Sequence, residues 1–199
     1  MATYSKGEDT RDHILKTTRD LLTTQGFRNT SIANIIAATG VKKGNLYYHF
    51  PSKEELALAV LEDAKSEFFD FLGDSFQGDD AIAKIINSCD TLLEFLQQRN
   101  FVGGCLFGNT ALEMTDNNVR FATIIRDVFA HWVELIAGYL RDAQAQEGFQ
   151  SPIPPVALAT TVVATIEGGI MMSRVDGGEG LADCILTLKA ILGRPVPPA

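Results

Sequence analysis

The sequence predicts an all-α chain, and three observations carry that expectation. No stretch alternates apolar and polar residues at period two, whereas nearly every segment repeats its apolar residues at helical spacing. Helix stops recur at helix-length intervals, at Gly26, Gly40, Pro51, Gly73 and Gly148. Hydrophobic residues make up 46% of the 199, enough to core one generous domain or two modest ones.

A first helix is predicted over 10–25, with Thr10 as N-cap and Ile14, Leu15, Thr18, Leu21 and Leu22 as its inner stripe. Gly26 ends it, and Phe27 packs back as the chain turns. Thr30 and Ser31 open a second short helix whose Ile32, Ile35 and Ile36 face inward and which Gly40 closes. A third runs from Lys43 to Phe50 and halts at Pro51, which has no N–H to donate. Ser52 and Glu55 form a capping box for a fourth helix reaching Leu72. After a polar break over 73–80, helices are predicted over 80–98, 103–115 and 117–147. Gly148, Pro152, Pro154 and Pro155 then separate a final pair over 156–174 and 179–192, and the tail from Gly193 to Pro198 is expected to fray. The apolar stretch from Val156 to Met172 contains three threonines, Glu167 and two glycines, which suits a buried bundle helix better than a membrane span.

The start, Met1 to Lys6, has no apolar core of the kind a secretory signal needs. Cys89, Cys105 and Cys184 are odd in number and widely spaced, with no C-x-x-C, so a reducing cytoplasm is expected rather than a disulfide framework. The net charge of −8 conceals a segregation. Residues 1–53 hold eight Lys/Arg against four acids, a balance of +4, and the remainder holds nine against twenty-one, a balance of −12. A basic head on an acidic body can hold phosphates at one end only.

Three helices with a tight turn between the second and third form a helix-turn-helix layout. Gly40 supplies the turn, and Val41, Leu46 and Phe50 are spaced to pin the third helix. The outward face then carries Lys42, Lys43, Asn45, Tyr47, Tyr48 and His49, while Gly44 permits a close backbone approach. Read from the residues alone, Tyr47 or Tyr48 can be a core aromatic, His49 a packing histidine, and Thr30 and Ser31 caps of the second helix.

Residues 27–56, FRNTSIANIIAATGVKKGNLYYHFPSKEEL, resemble the DNA-binding domain of TetR-family repressors, and the run Lys43–Phe50 followed by Ser52 and Lys53 carries most of that resemblance. It is firm over residues 10–60; beyond them only length and helix order are similar. The resemblance implies a DNA-binding domain over 1–53 and an effector-binding and dimerisation domain over 54–199. It also implies that Thr30 and Ser31 contact phosphate, that Lys43, Tyr48, His49 and Lys53 hold the DNA backbone, and that Gly44, Asn45 and Tyr47 face base edges. A recognition helix this short touches few base pairs, so a homodimer on a palindromic double-stranded operator is expected, with repression relieved by a small molecule.

The last two helices are the expected homodimer interface. The first is apolar almost all round, with Ala157, Ala159, Ala164, Gly168 and Gly169 allowing close approach, and the second carries Leu181, Cys184, Ile185, Leu188 and Leu192 on one stripe. Paired with their symmetry mates they would make a four-helix bundle. Effector contacts are expected from Phe68, Phe95, Phe107, Met114, Phe129, Trp132 and Met171, with Asn109, Glu113, His131 and Glu167 as polar groups that orient the ligand. Cys105, in Gly103-Gly104-Cys105-Leu106, stands at an expected helix start, where the macrodipole favours a thiolate. Electrophile or redox sensing is one reading of it, and an inert packed thiol is the other. No H-E-x-x-H, G-x-S-x-G or paired-carboxylate arrangement is present, and GGCLFGNT has Asn109 where a phosphate loop needs lysine. No cofactor, metal or membrane contact is expected. A Cys-dependent enzyme using Cys105 and His131, or a DNA-binding protein indifferent to effectors, are the competing readings.

Overall fold

The computed structural model describes residues 6–146 and 148–195. Among the described residues there are nine α-helices and no strand. They are α1 (Lys6–Asn29), α2 (Ile32–Thr39), α3 (Lys43–His49), α4 (Lys53–Ser75), α5 (Ala81–Gln98), α6 (Leu106–Met114), α7 (Val119–Gln146), α8 (Pro155–Asp176) and α9 (Glu179–Ile191). By compactness the chain forms two units, one comprising residues up to Phe68 with Leu106–Ile125, the other Phe69–Cys105 with the residues from Arg126 onward. This division passes through α4 and α7. The reason is that α6, distant in sequence, packs along α1 and joins the N-terminal unit.

In that unit α1 already begins at Lys6, so Thr10 lies inside the helix and does not cap it. Ile14, Leu15, Thr18 and Leu22 are buried, as their 3.6-residue spacing requires. At Gly26 the backbone turns to φ 78°, ψ 168°, which breaks α1 before a last turn through Asn29. Ser31 caps α2 reciprocally: Asn34 N–H donates to its Oγ at 3.1 Å, and its own N–H donates to Asn34 Oδ1 at 2.8 Å. Gly40 closes α2 in left-handed backbone, and its N–H donates to Ile36 O. Ser52 caps α4 through Glu55 N–H at 3.1 Å. The second half of the expected capping box is absent, because the Glu55 carboxylate pairs instead with Arg120 at the start of α7.

In the other unit Asp80 caps α5 by accepting from Ala83 N–H at 2.7 Å. α8 and α9 pack extensively on each other, and α9 also packs on α5. Leu158, Ala159, Val162, Val163, Ile166 and Ile170 of α8 are buried with Leu181, Ile185 and Leu188 of α9. Gly193 to Pro195 are described, and Arg194 pairs with Asp80, which ties this part of the expected fray to the cap of α5. Residues 196–198 of that tail, like Met1 to Ser5, lie outside the described residues. α6 starts at Leu106 rather than 103, since Gly103 and Gly104 take φ of 86° and 68°, leaving Cys105 just before its first turn.

Candidate nucleic-acid interface

The position of α3 is fixed from beneath. Leu46 is 1% exposed, and Phe50 is buried at the C-cap, with its N–H donating to Leu46 O. The Arg11 guanidinium lies 5.3 Å over the Phe50 ring, and His13 Nε2–H donates to Thr39 O at 3.0 Å just before the turn. A groove of about 660 Å³ between the start of α1 and that turn is lined by His13, Lys42 and Asn45 among others.

The opposite face of α3 is open. Lys42, Lys43, Gly44 and Asn45 are exposed, Tyr47 is 40% and Tyr48 83% exposed, and His49 is half-buried. Tyr48 meets His49 edge-on at 5.1 Å, and the Lys43 ammonium stands 6.0 Å from the Tyr47 ring. Neither tyrosine is a core residue. Seven residues of helix extend roughly 10 Å, a length that suits a major groove about 12 Å wide. Ammoniums and hydroxyls suit phosphates, while Asn45 and Tyr47 offer donors and acceptors to base edges. Ser31 is exposed at the N-terminus of α2 while it caps that helix, so capping leaves it accessible to a phosphate.

Two expected phosphate contacts point inward. Thr30 is 0% exposed, and its hydroxyl donates to Gly26 O at 2.7 Å. Lys53 donates from Nζ to Phe27 O at 2.7 Å and Thr30 O at 2.8 Å, and sits 4.1 Å over the Phe27 ring. Burial holds its pKa below the ordinary lysine value, an effect that the nearby Glu113 carboxylate partly offsets.

Two expected effector contacts, Asn109 and Glu113, are likewise engaged within the N-terminal unit. Glu113 accepts Phe27 N–H at 2.7 Å on Oε2 and Arg28 N–H at 2.6 Å on Oε1, and its own carbonyl accepts from Arg28 Nη2 at 3.1 Å. Asn109 donates to Thr23 O at 3.2 Å. This role was missed in the sequence, where its trace is Asn109 and Glu113 standing four apart on a mostly apolar helix.

With this geometry in place, likeness to known proteins decides the family. Residues 14–60 match the bacterial regulatory proteins of the tetR family, and residues 81–187 match the tetracyclin repressor-like C-terminal domain. The chain belongs to the TetR family. A TetR transcriptional regulator from Chloroflexus aurantiacus J-10-FL is 30% identical and superposes with a TM-score of 0.87, over 98% of this chain and 99% of that one. The HTH-type transcriptional repressor NemR of Escherichia coli K12 is 28% identical over 94% of this chain and 96% of its own length. The repressor DhaR of Mycobacterium sp. strain GP1 is 23% identical over 89% of each. The chain is thus a TetR-family transcriptional regulator with its helix-turn-helix in α2 and α3.

The remaining effector candidates of this TetR-family chain separate into outward and inward groups. His131 is exposed and stacked on Phe69 at 4.0 Å, so it is a surface histidine. Phe95 is also exposed, with the Arg99 guanidinium 4.6 Å over its ring. Met171 is 59% exposed on α8. Phe107 is buried and pairs with Phe68 at 5.6 Å in the N-terminal unit; Met114, of the same unit, is half-buried. In the C-terminal unit Trp132 is buried, while Phe129, Cys105 and Glu167 are half-buried. Glu167 Oε1 has no hydrogen-bond partner among the described residues. Burial pushes this carboxyl above the ordinary glutamate value, partly offset by a hydrogen bond with Cys105. Burial likewise pushes the Cys89 thiol up to about 12 and raises Cys184.

Proposed function

We propose that the chain is a cytoplasmic homodimeric repressor that binds a palindromic operator through α3 of both protomers and releases it when a small molecule binds the C-terminal domain. The observation that carries this reading is the exposed polar and aromatic face of α3 mounted on buried Leu46 and Phe50. Lys42, Lys43, Tyr48, His49 and Ser31 are its phosphate contacts, and Gly44, Asn45 and Tyr47 its base-reading positions. Two copies about 34–36 Å apart would read successive turns of one DNA face.

Dimerisation is assigned to α8 and α9. Val156, Met171, Met172, Val175, Leu186 and Ile191 stand exposed on these two helices, an apolar set that a lone protomer leaves to water. The effector site is assigned around Cys105 and Glu167, where a thiol adjoins a carboxyl with an unpaired oxygen and where a soft electrophile or an apolar ligand carrying one donor would fit. One of the similar structures is described as the reduced form of NemR, which fits a thiol-based response. Binding shifts the population toward a state in which α4 carries the recognition helices off their spacing, and each tenfold loss of operator affinity needs about 1.4 kcal/mol of differential effector binding.

A salt titration on a duplex selected from a random library tests the DNA reading: affinity falls steeply with salt if phosphates are bound, and a flat profile refutes it. Iodoacetamide tests the effector assignment. Cys105 should alkylate faster than Cys89 and Cys184 and faster than an unstructured thiol, and alkylation should weaken operator binding. Alkylation with no change in binding would remove Cys105 from the site.

A further inference from the structure

Segment 26–30 is held from two directions by elements that lie far away in sequence. Because Gly26 is non-helical, α1 cannot continue its hydrogen-bond ladder through it, and the residues just beyond start a new turn with unpaired N–H groups. α6 supplies the missing partners. Both oxygens of Glu113 receive the Phe27 and Arg28 N–H groups, while Asn109, one turn earlier on the same face, donates to Thr23 O on the other side of the break. A carboxylate at such a turn also meets the positive end of the local peptide dipoles. α4 supplies the second hold, with Lys53 donating to the carbonyls of Phe27 and Thr30. The next residue, Ser31, caps α2, so the phosphate-facing end of the helix-turn-helix begins where these ties end.

The clamp is tight on the α6 side. A Cβ on Gly26 would lie 2.8 Å from Glu113 Oε2, so the carboxylate fills the space that this backbone leaves. α6 is only nine residues long and begins directly after Cys105. A change at Cys105 therefore enters α6 at its first turn, and a shift or tilt of so short a rod carries Glu113 with it. Two charge-assisted hydrogen bonds to consecutive backbone amides transmit that displacement to α1 without a compliant side chain on the receiving end.

We propose that Glu113 is the positioning residue that couples the C-terminal domain to the DNA-binding helices, with α6 acting on the start of α2 through the Phe27 and Arg28 amides. The proposal rests on the DNA-binding reading above and adds the route by which the effector domain reaches it. Glu113 is then no ligand contact.

The single tryptophan, Trp132, is buried in the C-terminal unit and reports on that unit when DNA binds at the other. By linkage, if the domain biases DNA binding then DNA binding biases the domain. The probe is a duplex selected by the wild-type chain from a random library, titrated while Trp132 emission and duplex anisotropy are read together. Glu113→Gln keeps the side-chain volume but turns an NH2 toward one of the two amides, and Glu113→Ala removes both acceptors; near-UV circular dichroism confirms that each is folded. In wild type, saturation with duplex changes Trp132 emission. In Glu113→Gln the emission change falls to less than about a third while duplex affinity stays within about tenfold, and Glu113→Ala loses the change entirely. Variants that keep the full Trp132 response overturn the proposal, as does a wild type that binds duplex with no response at Trp132. A wild type that selects no duplex overturns the DNA-binding reading and takes this proposal with it, an outcome that anisotropy alone distinguishes. Should Glu113→Ala fail to fold, Glu113→Gln decides.

Discussion

Lys53 and Lys43 are both lysines of the helix-turn-helix signature, yet the structure gives them opposite surroundings. Lys43 is exposed beside Tyr47, whereas Lys53 donates to two carbonyls and covers the Phe27 ring. Lys53→Met should therefore destabilise the fold by about 1–3 kcal/mol in urea unfolding, since it strands carbonyls that are partly shielded from water. Its salt slope for duplex binding should stay that of wild type. Lys43→Ala should do the reverse, leaving stability alone while lowering the slope by about one. Gly26→Ala should cost about 1–3 kcal/mol of strain, because φ 78° with ψ 168° is nearly confined to glycine, and it should also displace Glu113. Thermal unfolding of Gly26→Ala beside Glu113→Gln reads this: a loss no greater than that of an exposed-helix alanine would refute it. At this scale the sequence revealed which residues share the helix-turn-helix but not which way each points. Thr30 and Lys53 occupy signature positions, but the carbonyls that capture Lys53 belong to a turn 23 and 26 residues away, and Glu113 meets α1 across 86. Partners at such separation leave no periodicity to read.

Elements were more legible than their ends, because helical spacing of apolar residues reports burial along a whole helix while a cap depends on one or two atoms. α2 and α3 lie where Ser31, Gly40 and Pro51 predict, since each of those stops acts through its own backbone. α1 and α6 miss their predicted starts because Thr10 is not needed as a cap and because two consecutive glycines take left-handed backbone. Caps also set how the helices answer to acid. The Asp80 carboxylate at the start of α5 is held below the ordinary aspartate range by Arg194 first and by the Ala83 N–H next. A folded value below the unfolded one stabilises above the unfolded value, near 4, and that contribution disappears as pH falls through the folded value. Asp80→Asn should therefore lower Tm at pH 6–7 and converge with wild type toward pH 2. Glu167 on α8 has the opposite sign: its carboxyl is raised by burial, so ionisation opposes folding as pH climbs above the ordinary glutamate value. Glu167→Gln should match wild type near pH 4 and exceed it at pH 7–8. Parallel Tm–pH profiles for either pair would refute the assignment.

For the molecule as a whole, charge and apolar surface divide the work. The N-terminal 53 residues carry +4 of a chain whose net charge is −8, which favours contact with DNA at one end. In that head Lys53 and Arg28 are engaged internally, and Arg19 pairs with Asp63 and Glu67, so the charge that faces outward on the recognition helix is chiefly Lys42 and Lys43. Two lysines, one capping a seven-residue helix and one opening it, would hold a duplex weakly, and the operator binding proposed above then depends on a second copy fixed at one helical turn. The surface proposed above to fix it is the α8–α9 face, where Val175 is 91% exposed and Met171, Met172, Leu186 and Ile191 are also open. A charge on that face should separate the protomers without touching α3. Leu186→Glu paired with Val175→Glu should convert the protein to a monomer by light scattering while its far-UV spectrum stays that of wild type and its Tm falls and no longer depends on concentration. Its affinity for a palindromic duplex should fall by about 10²–10⁴, the advantage that tethering two modest sites confers, while affinity for a single half-site stays near the wild-type value. The salt slope on the palindrome should drop to about half, since each binding event then neutralises one protomer's phosphates. If the doubly charged variant remains a dimer and binds the palindrome as wild type does, α8 and α9 are not the interface, and the exposed apolar residues there require another partner.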